Sequence, residues 1–323
     1  MPRTVDRAPS LAGALPAPSD PASSADDPER TGGARVRMGV LYGVAAYGAW
    51  GLFPLYFKAV QQAVPLEVLM HRIFWSAVLL VALSLSRRRL REVVQTLTHP
   101  GRVLATLCLS TVLIASNWLV YIWAVANDRV IESSLGYFIN PLVSVLLGVV
   151  FLGERLRRVQ VFCVLLAGAG VTYLTIMLGK PPTLALFLAV TFAFYGLLRK
   201  TVRADALLGL TVETLILSPL AATYLVVSCL RGQTAFIHAG PQLTILLALA
   251  GVVTALPLIW FTAAARRLRL ATIGFLQYLA PTGQFLLAVL AFGEPLSRER
   301  LVAFGCIWAA LLIYSIDATR RRK

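Results

Sequence analysis

The chain has 323 residues, of which 58% are hydrophobic and only 14% charged. Soluble proteins run near 45–50% apolar and about 25% charged, so soluble globular, disordered, collagenous and disulfide-rich secreted classes are excluded. The 30 Lys+Arg against 15 Asp+Glu give a net charge of +15, which in a soluble protein would point to nucleic acid, but here the placement of the charges assigns it elsewhere.

Residues 1–36 are rich in Pro, Ala, Ser and Asp, including Pro16, Pro18, Pro21, Ser23, Ser24, Asp26 and Asp27. Such a segment cannot bury enough apolar surface to order itself, and a disordered arm is expected. It has neither the apolar core of a secretory signal nor the acid-poor composition of a transit peptide. The first apolar span is therefore expected to direct membrane insertion.

Ten apolar segments follow, at 38–57, 65–85, 103–125, 133–152, 159–178, 182–198, 206–228, 241–264, 270–292 and 301–317. Each approaches the ~20 residues that cross ~30 Å of hydrocarbon as a helix. They are continuously apolar and do not alternate, which excludes barrel strands. With the N-terminus placed in the cytoplasm, 23 basic residues fall on inside segments and six outside, with Arg72 inside a span. The positive-inside rule then puts both termini in the cytoplasm of a multi-pass inner or plasma membrane protein. The +15 is accounted for by topology, so the bilayer and not nucleic acid is the expected partner.

A shift of 140 residues aligns Pro141 with Pro281, Gly153 with Gly293, Glu154 with Glu294 and Leu156 with Leu296. The chain reads as the arm 1–36, a five-helix repeat 37–178, a second five-helix repeat 179–318 and a basic tail 319–323. An odd number of spans per repeat inverts the second relative to the first. The expected fold is all-α and integral to the membrane: ten transmembrane helices in two inverted five-helix repeats. Secondary transporters obtain two nearly equivalent conformations from this arrangement.

Residues 71–76 (HRIFWS), 117–125 (NWLVYIWAV), 135–142 (LGYFINPL) and 151–155 (FLGER) carry a more specific signal. So do 192–200 (FAFYGLLRK), 274–278 (GFLQY) and 292–294 (FGE). These strings, from about Gly39 to Ile316, resemble the RarD family of the EamA group in the drug/metabolite transporter superfamily. The resemblance implies a ten-helix inner-membrane carrier with a small-molecule substrate, and supplies no identity for that substrate. The long arm departs from the family pattern.

Ionisable groups within spans mark pathways, proton relays or counter-ions. Glu67 and His71 stand at i and i+4 on one face of span 2, with Arg72 beside them, and Glu213 lies in span 7 opposite His71 under a shift of 142. Glu213 is the leading candidate, binding a cationic substrate centre or exchanging a proton with His71. Arg72 either snorkels outward or faces the pathway; Glu67 is close enough to the headgroups for a solvated role. Asn117, Tyr137, Asn140, Gln277 and Gln284 either join helices or line a substrate site. Pro141 and Pro281 favour the second, since paired interruptions in matching spans point to the binding region. Trp75, Trp118, Trp123 and Trp260 are packing bulk or an aromatic wall. Gly153-Glu154 and Gly293-Glu294 are expected to stop one helix and set an acid at the start of the next.

The sequence contains no GxxxxGK[ST], HExxH, GxSxG or paired CxxC, so no cofactor, metal or enzymatic nucleophile is expected. Cys108, Cys163, Cys229 and Cys306 read as small packing residues. A secondary carrier, driven by protons or by the substrate gradient, is the expected function; a sensor or scaffold without flux is the alternative.

Overall fold

The computed structural model describes residues 28–153, 156, 158–265, 267–268 and 276–320, with backbone alone at 28–35, 206, 262, 265, 315 and 317–320. The described residues form helices and no strand: α1 (Pro28–Gly51), α2 (Phe53–Ala59), α3 (Pro65–Ser86), α4 (Leu90–Thr98), α5 (Arg102–Ala126), α6 (Val130–Leu152) and α7 (Arg158–Leu178). Then come α8 (Thr183–Thr201), α9 (Ala206–Leu230), α10 (Pro241–Ala248), α11 (Ala250–Ala265), α12 (Leu279–Leu286) with a π turn at Leu287–Ala291, and α13 (Arg298–Arg320).

Among the described residues eight helices are long and apolar enough to cross a membrane, with α1–α2 and α10–α11 each supplying one. They match the first eight expected segments. The ninth, 270–292, runs into residues outside the description and is represented by α12 and its π turn; the tenth, 301–317, lies within α13. Two features differ from expectation. Helix α1 starts at Pro28, ahead of the first span, while residues 1–27 lie outside the described residues. A short helix, α4, occupies what reads as a basic loop, burying Val93 against the bundle.

Local chemistry explains the helix ends. Pro65 opens α3 at a position where a missing N–H costs nothing. Gly153 and Gly293 adopt left-handed φ of 65° and 64°, which only glycine takes without steric cost, so each ends its helix as expected.

In the bundle α3 packs on α9 and α11, α5 on α8 and α9, α6 on α8 and α12, α7 on α13, and α1 on α11 and α12. Without a hydrophobic force between helices in lipid, small residues that allow backbone approach decide where crossings occur. A Cβ on Gly136 would stand 2.6 Å from the Ala185 carbonyl oxygen, and one on Gly251 would stand 2.5 Å from the Trp75 carbonyl carbon. Gly39 and Gly43 likewise face Leu268 and Leu276 of the same chain.

Two carboxylates close the bundle at the end away from the arginine-rich loops. Glu67, expected to be solvated, is 2% exposed. It accepts from the Thr234 hydroxyl at 2.5 Å and the Ala235 and Phe236 N–H groups at 2.9 and 3.1 Å. Glu294 accepts from Val130 and Ile131 N–H at 2.6 and 2.9 Å. The acid therefore sits at a helix start, as expected, but at that of α6 in the other half of the chain and not of the following helix; Glu154 lies outside the described residues. Lys58 and Asp128 pair on the same end.

At the opposite end Arg89 bridges Glu92 and Asp205, each at 2.6 Å, and Asp205 caps α9 by accepting from Leu208 N–H at 2.9 Å. Partial burial pushes the Asp205 carboxyl up, but the Arg89 guanidinium and the Leu208 N–H outweigh it and hold it below the usual range. A carboxyl lowered in the folded state stabilises above the unfolded pKa of about 4 and loses that contribution as pH falls through the folded value. Thermal unfolding in detergent should accordingly show a smaller loss of midpoint between pH 5 and pH 3 for Asp205→Asn than for the parent; equal losses would contradict this coupling.

Candidate functional site

Between the two halves lies a cavity of about 740 Å³, within the ~300–1,000 Å³ typical of small-molecule sites. Along α3 its wall runs from Arg72 through Leu80 and Leu83 to Arg87. Arg199 and Arg267, from the ends of α8 and α11, share the Arg87 side. The cavity thus reaches the arginine-rich end and stops at Arg72, roughly 10 Å into α3 at 1.5 Å per residue. Beyond that stop lie the Glu67 and Glu294 contacts.

The wall is aromatic. Trp50, Phe53, Trp118, Tyr121, Tyr137, Phe192, Tyr195 and Phe261 line it, and edge-to-face contacts such as Tyr121–Tyr137 at 5.6 Å and Tyr137–Phe192 at 5.9 Å hold the rings in place. Trp118 belongs to this wall; Trp75 instead meets Phe74 edge to face and Trp123 lies under Arg129.

Arg72 does not snorkel. It is 3% exposed, its Nε donates to Thr254 Oγ1 at 3.1 Å, and its guanidinium lies 4.6 Å from the Trp118 ring centre and 5.2 Å from that of Phe57. Leaning back along α3 carries it onto the aromatic floor instead of to the surface.

The uncharged candidates divide their work. Asn117 donates to Leu188 O at 3.0 Å and Thr191 Oγ1 at 2.9 Å, and accepts from the Tyr137 hydroxyl at 3.1 Å. Asn140 donates to Ala189 O at 3.0 Å, and Gln284 to Trp50 O at 3.2 Å. Each bond joins two helices; Tyr137, Asn140 and Gln284 also line the cavity, as does Gln277, while Asn117 does not.

Glu213 is buried and accepts from Ser110 Oγ at 2.6 Å and the Tyr195 hydroxyl at 3.3 Å, with Arg199 Nε at 3.9 Å. It stands behind the cavity wall and not in it. Gly209 makes the arginine's position possible, since a Cβ there would fall 1.6 Å from Arg199 Nη1. Gly209 and Glu213 are i and i+4, on one face of α9, which lets Arg199 lie along that face toward the acid.

His71 is elsewhere. Its Nδ1 accepts from Trp75 Nε1 at 3.3 Å and its ring lies 4.6 Å from that of Phe236. The contacts Ser84–Thr211 and Glu67–Thr234 run α3 and α9 antiparallel, which sets Glu213 level with the Ser84 end, about thirteen residues and ~20 Å from His71. No direct proton exchange links them in this conformation, and neither His71 nor Arg72 pairs with Glu213. A double-mutant cycle on detergent stability should couple Glu213→Gln to Arg199→Gln by about 1–3 kcal/mol, and to His71→Ala by no more than ~0.5. The reverse order would contradict this placement.

The EamA-like transporter family model matches residues 37–176. Protein RarD of Salmonella typhi is 48% identical over 294 residues, spanning 90% of this chain and 99% of that protein. An uncharacterized transporter of Vibrio cholerae is 45% identical over 284 residues, 88% and 94% of the two chains. The chloramphenicol-sensitive protein RarD of Pseudomonas aeruginosa is 33% identical over 286 residues, 88% and 95%. A solved crystal structure superimposes with a TM-score of 0.56 at 19% identity, covering 88% of this chain and 99% of its own, which shows likeness of fold. A multi-pass helical bundle with a cavity between its halves and relatives of this closeness has one family reading: the chain is a membrane transporter of the RarD family, of the EamA type.

Proposed function

We propose that the protein is a secondary carrier that moves a small organic molecule by alternating access, with the aromatic cavity as the substrate site. The observation that carries this reading is a cavity lined by both halves of the chain, running from Arg72 to the arginine-rich end of the bundle.

The packing pattern supports the ten-helix inverted repeat behind it. Take α1–α2, α3, α5, α6 and α7 as spans one to five, and α8, α9, α10–α11, α12 with its π turn, and α13 as spans six to ten. The crossing of spans one and eight then has its counterpart in six and three, that of two and eight in seven and three, and that of four and six in nine and one. Spans two with seven, four with nine and five with ten pair with their own counterparts. These principal crossings exchange with one another when the halves are exchanged, as a pseudo-two-fold predicts, whereas the crossing of spans two and three has no comparable counterpart in seven and eight among the described residues. The family match at 37–176 covers one such five-span unit.

Charge supplies the orientation. The cavity reaches the end that carries Arg87, Arg199 and Arg267, which the positive-inside rule assigns to the cytoplasm, so this conformation faces inward. The outward-facing state requires the Glu294–α6 contact and the Lys58–Asp128 pair to part, while the arginine-rich end closes. Substrate-gradient or proton drive fits a chain without a P-loop. The sensor or scaffold reading has no use for the cavity.

Cysteines replacing Lys58 and Asp128, joined by a short bifunctional thiol reagent, lock the outer end. In proteoliposomes that exchange a substrate before cross-linking, flux should fall at least tenfold and return when a cleavable linker is cut. Undiminished flux in the linked protein would overturn alternating access at this end.

A further inference from the structure

A guanidinium in an apolar interior ordinarily sits beside a carboxylate, because a desolvated charge without a partner is costly. Arg72 has no such partner: among the described residues no carboxylate lies within 4.0 Å of it. Thr254 takes its Nε, aromatic faces take part of its charge, and its Nη nitrogens have no hydrogen-bond partner among the described residues. Next to it Tyr121, 3% exposed, has a hydroxyl that is likewise unpartnered, although a buried tyrosine hydroxyl normally finds one.

The rest of the cavity has the same sign. Arg87, Arg199 and Arg267 line it with Arg72, and among the described residues no Asp or Glu does. Glu213 offsets Arg199 alone, at 3.9 Å, from behind the wall. A cation entering would meet like charge at the mouth and at the floor, in surroundings of low dielectric where that repulsion is strong. An anion would be drawn in by the mouth arginines and met at the floor by a planar fork suited to two-oxygen groups.

We propose that the cavity binds an organic anion: a flat aromatic body stacked among Trp118, Tyr137 and Phe192, carrying one carboxylate or sulfonate that Arg72 receives at the closed end with the Tyr121 hydroxyl beside it. This names the substrate class of the transport site and rests on that reading of the cavity. Part of the barrier to burying Arg72 is then removed each time substrate arrives, which couples occupancy to the stability of the closed floor.

Three probes of one shape test it: 1-naphthalenesulfonate, 1-naphthalenesulfonamide and 1-naphthylmethylammonium, bound to the purified full chain in equilibrium dialysis. The sulfonate should bind at least tenfold more tightly than the sulfonamide, and the ammonium more weakly than either. Arg72→Gln should cost the sulfonate tenfold or more and the sulfonamide less than threefold, and Arg72→Lys should restore part of the loss. A sulfonate that binds no better than the sulfonamide, including no binding at all, overturns the proposal, as does an Arg72→Gln protein that keeps its preference. If neither variant folds, the ranking of the three probes on the parent protein decides. Proteoliposome flux separates this from the carrier reading. Sulfonate bound through Arg72 but not carried leaves the anion site and sinks the carrier; sulfonamide or ammonium carried while sulfonate is excluded leaves the carrier and sinks the anion site.

Discussion

A fixed positive charge inside the bundle, held by rings and one hydroxyl with no acid beside it, is the constraint on which the rest of the structure depends. Arg72 needs the faces of Trp118 and Phe57 at close range, and those faces need α2, α3 and α5 to converge on one floor. The floor closes the cavity at the end away from the arginine-rich loops. A leucine at 72 would pack there more cheaply, so the charge is a cost that folding alone gives no reason to carry.

The acids do different work. No backbone N–H can turn to water inside hydrocarbon, so helix starts at depth need internal acceptors. Glu294 is such an acceptor for the start of α6, and Glu67 accepts from the loop N–H groups of Ala235 and Phe236, each across a long sequence separation and each tying one half of the chain to the other. The first N–H groups of a helix have no partner within the helix and are satisfied by such side chains or by water. The end beyond Arg72 is thereby held by polar contacts of a kind that water also makes, while the floor under Arg72 is held by aromatic faces.

The first eight spans were legible because hydropathy over ~20 residues is a local property, and the glycine helix ends were legible because Gly153-Glu154 and Gly293-Glu294 repeat in order. Facing was not. Hydropathy places Arg72 at a depth but does not say which neighbour it meets, and the aromatic floor that buries it comes from α2 and α5. Glu67 reads as a headgroup-level acid until Thr234, Ala235 and Phe236 fold over it from a loop 167 to 169 residues away. The matching of His71 with Glu213 by repeat shift misleads as contact, because α3 and α9 run antiparallel and set the two residues toward opposite ends. The Arg199–Glu213 pairing was not legible either, since the space over Gly209 that admits the guanidinium is seen only in the folded chain.

Access to the cavity from both faces in turn is the claim that every other part serves, and thiol labelling of Ala280→Cys measures it. Ala280 lines the cavity, and the background would have Cys108, Cys163, Cys229 and Cys306 replaced. With a membrane-impermeant reagent in oriented vesicles, the account predicts labelling from the cytoplasmic face that falls, as labelling from the outer face rises, when a transported ligand is supplied. Labelling from one face alone under every condition, or from both at once without exchange between them, would contradict it.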